Sequence, residues 1–260
     1  MKGSSIWRYA RLCPMESASL LRMFADDARS LLAAAETDWK RPVPDCPEWD
    51  DADLIRHAGS ILLWIAAIVT SREPVDRRTL APAPEDSADL PAWYLVNLDR
   101  VLGVLGSADP QSATWTFSSS GDRRVAWWSR RLAVEFAVHR WDAEHAASVM
   151  GGSSPRPLDG DVAAEGVEEF VIEFLPGLLA RGGAEGMSGT LHLHATDGPT
   201  EWWIDLDAGG TARQEHAKAD TAIRGTRSDL LLWLMNRGPL DSLDVFGSRE
   251  IPDHWGQLRR

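Results

Sequence analysis

A short segment rich in glycine, serine and proline, residues 151–157, divides the sequence into two parts with different patterns. Glycine and proline interrupt regular structure, so such a run typically forms a linker. Before it, apolar residues recur at intervals of three and four over long stretches, as in amphipathic helices. After it, one helical stretch is followed by short alternating segments that are typical of strands. The sequence therefore predicts two domains of different class.

The first part contains four segments of helix length. They cover about residues 16–36, 51–71, 89–106 and 124–149, and proline-containing connections separate the first three. The connection at 72–88 is long for a compact domain, and loops of this length often form a lid or a pocket wall. Together the segments predict a four-helix bundle over residues 16–150, preceded by an N-terminal extension at residues 1–15.

The second part, residues 158–260, begins with a predicted helix at 160–181. Predicted strands follow at 190–195, 201–206 and 219–225, then a helix at 228–236 and a closing strand at 243–246. This order predicts a small α+β domain. The expected fold class is therefore multidomain, α and α+β.

Composition restricts the partners and the compartment. The net charge of −12 and the pI near 5.0 argue against binding to nucleic acid or to an anionic membrane. The two cysteines, Cys13 and Cys46, have no CxxC spacing, so a metal site built from cysteines is excluded. The first fourteen residues lack the apolar run of a signal peptide, and Ile61 to Val69 is too short to span a bilayer. We expect a cytoplasmic monomer or homodimer.

The last predicted helix of the bundle carries Glu135, His139 and Asp142. Residues three and four apart share one face of a helix, so Glu135 and His139 could hold a divalent metal while Asp142 accepts the other ring N–H of His139. His57 lies on the apolar side of the second helix, from which it could supply a third ligand. Three ligands leave one coordination position open, as in catalytic zinc sites.

Other interpretations stay open from the residues alone. His57 as a core histidine, with Glu135 paired to an arginine, is the commoner outcome for such side chains. His192 and His194 point to the same sheet face and could be ligands, although a solvated strand face is favoured. Cys46 has no evident base nearby, so a small buried thiol is favoured over a nucleophile.

Three segments, residues 44–57, 135–144 and 223–237, resemble the mycothiol-dependent maleylpyruvate isomerase family. The first two are similar to its Cys-Pro-x-Trp…Asp-Leu-x-x-His and Glu-x-x-Val-His-Arg-x-Asp-Ala-Glu patterns. The resemblance implies a DinB-like four-helix bundle followed by a domain like sterol carrier proteins. It implies that His57, Glu135 and His139 are the metal ligands, with zinc as the expected ion. Val134 stands where the family often has histidine.

The resemblance also implies a function. Mycothiol would be the thiol cosubstrate, activated as a thiolate for addition to an electrophilic small molecule by a transferase or an isomerase. Two alternatives remain: a non-catalytic protein that binds metal and a hydrophobic ligand, and a metal-dependent hydrolase that uses bound water. No motif places the family's catalytic arginine, for which Arg78, Arg100 and Arg131 are candidates.

Overall fold

The structure is a computed structural model that describes residues 15–182 and 187–258. The described chain divides into two compact units, Glu16–Gly166 and 167–258. The predicted N-terminal extension, Cys13 included, lies outside the described residues except for Met15. The domain and linker boundaries predicted at residues 150–158 stay predictions.

The first unit contains four long helices, as predicted. They are α1 (Ser17–Ala35), α2 (Asp51–Ser71), α3 (Leu90–Ser107) and α4 (Val125–Val149). α1 packs mainly on α4, where the rings of Phe24 and Phe136 meet edge to face at 4.9 Å. α2 packs mainly on α3, and the buried Tyr94 hydroxyl of α3 donates to the Ala28 carbonyl of α1 at 2.9 Å. Apolar contacts and this hydrogen bond join the helices around one core.

The start of α2 is fixed by a capping box. The Asp50 carboxylate accepts from the Asp53 amide at 2.9 Å, and the Asp53 carboxylate accepts from the Asp50 amide. These bonds satisfy amides that have no partner within the helix. By length and apolar composition α2 could cross a membrane, but 61% of that window is buried inside the protein, as in the core helix of a soluble bundle.

The long connection between α2 and α3 is tied to α2 by side chains. The Trp64 indole N–H donates to the Val75 carbonyl at 2.8 Å. The Arg56 guanidinium donates to the carbonyls of Pro84 and Glu85 at 3.1 and 2.8 Å. These bonds hold the segment along the helix that carries His57.

The segment after α4 is held by two residues of the last bundle helix. The Arg140 guanidinium donates to the carbonyls of Arg156 and Pro157, and it pairs with Asp27 of α1 at 3.0 Å. Glu144 accepts from the amide and the guanidinium of Arg156. Arg140 and Glu144 therefore fasten the 151–157 segment to the bundle.

The second unit begins within one interrupted helix. α5 (Gly160–Glu169) continues through a π-helical turn at Phe170–Phe174 into α6 (Leu175–Ala180). Pro176 has no amide hydrogen with which to continue the α-helical pattern, and wide turns of this kind accompany such interruptions. Two further helices follow later, α7 (Arg227–Leu234) and α8 (Glu250–His254). α8 was not predicted.

A five-stranded mixed sheet forms the rest of the unit. Its strands are β1 (Thr190–Ala195), β2 (Glu201–Asp205), β3 (Thr211–Arg213), β4 (Thr221–Gly225) and β5 (Asp244–Gly247), in the order β3-β2-β1-β4-β5. β1 and β4 are parallel, and the other pairs are antiparallel. The short β3 was not predicted, but the α+β class is confirmed.

The two faces of the sheet differ in polarity. Leu191 and Leu193 of β1 are fully buried, as is Ile204 of β2. The alternate residues of β1, His192 and His194, lie on the opposite face. This alternation gives the sheet one core face and one face that carries polar side chains.

Candidate metal centre

Three side chains from two helices converge on one point in the bundle. The Glu135 Oε1 atom lies 3.6 Å from Nε2 of His57 and 3.3 Å from Nε2 of His139. All three potential ligand atoms lie within 4.8 Å of one another. Glu135 and His139 are one turn apart on α4, and His57 comes from α2, so the fold brings the three predicted residues together.

Asp142 orients the most deeply buried of these side chains. Its Oδ2 atom lies 3.0 Å from Nδ1 of His139, and the Asp142 side chain is completely buried. Burial alone would lower the pKa of His139, but the bonds to Asp142 and Glu135 raise it to about 9. An imidazole bound to a carboxylate through Nδ1 presents Nε2 to the centre, which is the usual orientation of a metal-binding histidine.

Glu135 is ionised in spite of its burial. Burial alone would raise its pKa, but the charge of Arg131 and the bonds from His139 and His57 hold the pKa well below its usual range. Arg131, one turn earlier on α4, contacts Oε2. The other oxygen, Oε1, faces both imidazoles. Glu135 therefore pairs with an arginine through one oxygen, as one interpretation expected, and faces the two imidazoles with the other.

Trp49 forms one wall beside the centre. Its ring lies 4.6 Å from the His57 ring and 6.4 Å from the His139 ring, centroid to centroid. Burial lowers the pKa of His57, which favours the neutral imidazole that can ligate a metal. The His57 side chain keeps 30% exposure, so the centre is reached by solvent from its side.

Comparison with protein families gives matches along both units. Residues 21–144 match the mycothiol maleylpyruvate isomerase N-terminal domain, and residues 161–254 match the C-terminal domain of the same enzymes. The chain belongs to the mycothiol-dependent maleylpyruvate isomerase family. This is an enzyme family. Asp142 supports the imidazole, while Arg140 and Glu144 hold the segment after the helix.

Solved structures show the same fold. Crystal structures of the mycothiol-dependent maleylpyruvate isomerase and of a histidine-to-alanine mutant align with TM-scores of 0.56 and 0.57. Each alignment covers 89% of this chain and 93% of the other, at 8% and 9% sequence identity respectively. No curated protein sequence matches the chain. At this identity the likeness establishes the fold, and the four-helix bundle followed by a small mixed-sheet domain is confirmed.

The three candidate arginines lie in different surroundings. Arg131 contacts Glu135, whereas Arg78 has an 89% exposed side chain and pairs with Asp76. Arg100 is exposed on α3. The sequence missed Arg77, whose guanidinium lies 4.1 Å above the Trp64 ring. Burial lowers the Arg77 pKa and the charge of Glu135 opposes this, so Arg77 lies within electrostatic range of the centre. In the sequence, the one indication that Arg77 lies near the centre was its place in the loop predicted to form a lid or pocket wall.

The remaining predicted residues have other surroundings. Val134, the departure from the family pattern, is fully buried. Cys46 is half-buried, so it is less buried than we expected. His192 is 6% exposed, and the expectation that the sheet histidines form a solvated face is wrong for it.

Proposed function

We propose that this enzyme uses mycothiol to attack an electrophilic small molecule at a divalent metal held by His57, Glu135 and His139. The single observation that carries the proposal is the approach of three donor atoms, Nε2, Oε1 and Nε2, to within 4.8 Å. Family membership supplies the thiol and the substrate class, since the family is named for mycothiol and maleylpyruvate. We propose a cytoplasmic location, where a low-molecular-weight thiol stays reduced.

The donor set suits zinc. Two imidazoles, each neutral once it ligates, and one carboxylate are ligands that zinc prefers, and three protein ligands leave a position for a fourth. A divalent cation bound there would supply positive charge that lowers a thiol's pKa from about 8.5, so that the thiolate prevails at neutral pH. Zinc is our choice of ion because two of the three ligands are imidazoles.

The chain's own residues prepare the site. Asp142 fixes the ring of His139 so that Nε2 points to the centre. Arg131 balances the charge of Oε2 on Glu135, and Trp49 packs beside the His57 ring. These contacts hold the donors in place before a substrate binds, so less binding free energy is needed to order them.

Arg77 is our candidate for binding an anionic substrate. It forms none of the side-chain ion pairs found in residues 15–182 and 187–258, and its guanidinium lies over Trp64 and interacts electrostatically with Glu135. A guanidinium can bind a carboxylate through two parallel hydrogen bonds. We expect Arg77→Gln to raise KM for a carboxylate substrate about tenfold or more, the loss of one charged hydrogen bond. The neighbour Arg78→Gln is the matched control, and an equal change in KM for both would contradict this role.

Two outcomes of thiolate addition are compatible with the site. In an isomerase, a carbon–sulfur bond forms, the former double bond rotates as a single bond, and expulsion of the same thiolate restores the double bond. In a transferase, the conjugate is protonated and released. The expulsion step returns mycothiol unchanged, so product analysis with one equivalent of mycothiol distinguishes the two.

The test combines metal analysis with a thiol requirement. Purified wild-type enzyme and His57→Ala are assayed with maleylpyruvate and a panel of other electrophiles, with and without mycothiol. We expect turnover only when mycothiol is present. We expect His57→Ala to lose both this turnover and the metal bound in the bundle. His254→Ala, a half-buried histidine of α8 that belongs to neither histidine cluster, is the control. Turnover at the same rate with and without mycothiol would support a hydrolase, and bound metal without turnover would support a binding protein.

A further inference from the structure

Four side chains of the second unit converge in the same way as those of the bundle. Glu201 Oε2 lies 3.0 Å from Nε2 of His192 and 2.6 Å from Nδ1 of His216. Glu201 Oε1 lies 2.9 Å from Nδ1 of His194. The four donor atoms all lie within 4.8 Å of one another. We propose that His192, His194, Glu201 and His216 form a second site for a divalent transition metal of the zinc class, separate from the centre in the bundle.

Sheet geometry places three of the four donors. His192 and His194 are two residues apart on β1, so they share one face. Glu201 on β2 lies directly opposite His194 in the antiparallel register. Side chains opposite each other on one face have Cβ atoms about 4.5–5.5 Å apart. The cluster therefore follows from strand pairing and does not depend on rare backbone geometry.

The fourth donor comes from an irregular segment. His216 lies between β3 and β4, where the chain has no regular structure, and its side chain is 81% exposed. Its ring centroid nevertheless lies 5.3 Å from that of His192 and 6.5 Å from that of His194. A ligand shared by all four side chains would join this segment to the sheet.

The chemistry of the donors selects the kind of ion. Three imidazoles and one carboxylate suit zinc and neighbouring transition metals, whereas calcium and magnesium prefer oxygen ligands only. Neighbouring ligands of tetrahedral zinc lie about 3.3 Å apart, given bonds of about 2.0–2.1 Å. The separations between Glu201 and the histidines, 2.6–3.0 Å, are somewhat shorter than this value, and all four donor atoms lie within 4.8 Å of one another.

Charge supports a metal over a fully protonated network. Three imidazolium rings within 5.3–6.5 Å of one another would repel, and a single carboxylate cannot balance three positive charges. Neutral imidazoles have lone pairs to offer, and one divalent ion would satisfy three of them together.

Four protein ligands fill a tetrahedral shell. Zinc sites that are closed in this way are structural, whereas catalytic sites keep a position open. We infer that the sheet site stabilises the second unit by fastening residues 214–220 to β1 and β2. The inference does not rest on the function proposed for the bundle, because the two clusters share no residue.

The first experiment counts metal in the full chain. Wild type, His57→Ala, His216→Ala and Glu201→Gln are loaded with zinc, dialysed and analysed for bound zinc. We expect two equivalents in wild type and one in each variant. The control His254→Ala should keep two. His216→Ala is the safest variant because its exposed side chain packs little in the fold.

The outcomes separate this proposal from the function of the bundle. If wild type binds one equivalent of zinc and His216→Ala binds none, the sheet site is supported and the bundle site is contradicted. One equivalent that survives both His216→Ala and Glu201→Gln overturns the sheet site and leaves the bundle site intact. Zinc that dialyses away from the sheet cluster also overturns the proposal, since it would show only weak association with surface imidazoles.

A second measurement tests the kind of site. His57→Ala removes a bundle ligand, so cobalt added to this variant reports on the sheet cluster through its visible absorption. We expect the intense bands of tetrahedral cobalt, and zinc should raise the thermal midpoint of this variant. Adding His216→Ala should weaken zinc affinity by at least the ~10–100-fold that loss of an outer-shell partner costs. A spectrum of octahedral cobalt that is unchanged by His216→Ala would refute the site.

Discussion

The two histidine clusters of this enzyme use the same donors but are built in opposite ways. In the bundle, α2 and α4 contribute three donors, and Asp142, Arg131 and Trp49 hold them from outside. On the sheet, four donors come from β1, β2 and one loop, and strand register places most of them. A site with a free position needs supporting side chains, whereas a filled shell holds its own ligands. The difference separates a site suited to chemistry from one suited to stability.

Their carboxylates also differ in surroundings. Glu135 has an arginine on one oxygen and two histidines on the other, and its side chain is 14% exposed. In the described parts of the chain, the ion pairs of Glu201 are all with histidines. Arg131 thus keeps Glu135 charged without occupying the oxygen that faces the centre. Glu201 is kept charged by the imidazoles alone.

The largest expected effect is on turnover, which we expect to depend on the cluster in the bundle and not on that of the sheet. Glu135→Gln should lower thiol-dependent kcat/KM by about 100-fold or more, because loss of an outer-shell partner alone costs about 10–100-fold. One equivalent of zinc should remain on the sheet. Parallel kinetics and metal analysis make the check, with His254→Gln as control. Full activity in Glu135→Gln would remove the distinction between the clusters.

A second variant tests whether support from outside matters in the bundle. Asp142→Asn keeps the size of the side chain but removes the charge that holds Nδ1 of His139. We expect zinc affinity of the bundle site to fall about 10–100-fold while that of the sheet site is unchanged. Competition with a chelator in the His216→Ala background measures the bundle site alone. An unchanged affinity would mean that helix geometry suffices to orient His139.

One histidine of each cluster, His139 in the bundle and His192 on the sheet, should affect stability with opposite pH dependence when metal is removed. The His139 pKa is raised to about 9, so its contribution to stability is present below pH 6.5 and is lost as the pH rises through 9. We expect a loss on the order of 1–3 kcal/mol. The His192 pKa is lowered, so the folded state loses stability as the pH falls below 6.5.

Urea unfolding in a chelator between pH 5.5 and 9.5 measures both effects. His139→Gln should remove the loss of stability at high pH. His192→Gln should reduce the loss at low pH, to which His57, whose pKa burial also lowers, contributes as well. Equal pH profiles for wild type and His139→Gln would show that Asp142 and Glu135 do not favour the protonated imidazole.

The smallest effects concern the helix starts in each unit. Asp50→Ala removes the capping box of α2, and Thr226→Ala removes the oxygen that accepts from the Asp229 amide in α7. Each should cost about 1 kcal/mol of unfolding free energy. Asp26→Ala, an exposed change in α1, should stay within about 0.5 kcal/mol. A cost in Asp50→Ala no larger than in this control would show that water replaces the cap.

Local pattern predicted most of the secondary structure. The bounds of the four bundle helices differ from the predicted ones by at most one residue, because apolar periodicity and caps such as Asp50 mark them. β3 was missed because three residues are too few to show alternation. The start of α7 was placed at Ser228, but Thr226 is its cap. The extent of a short strand or helix is set mainly by the elements that it contacts in the folded protein.

The sequence by itself determined that Glu135, His139 and Asp142 share a helix face, because the period of the helix fixes that spacing. The apolar side of the second helix offered His57 as a third ligand, and the motif resemblance supported that choice. Only the tertiary structure brought His57 to within 3.6 Å of Glu135, and only it drew His216 from a loop to the imidazoles of β1. Contacts within one helix follow from local geometry. Contacts between distant segments depend on how whole elements pack, and the pattern along the chain does not contain that information.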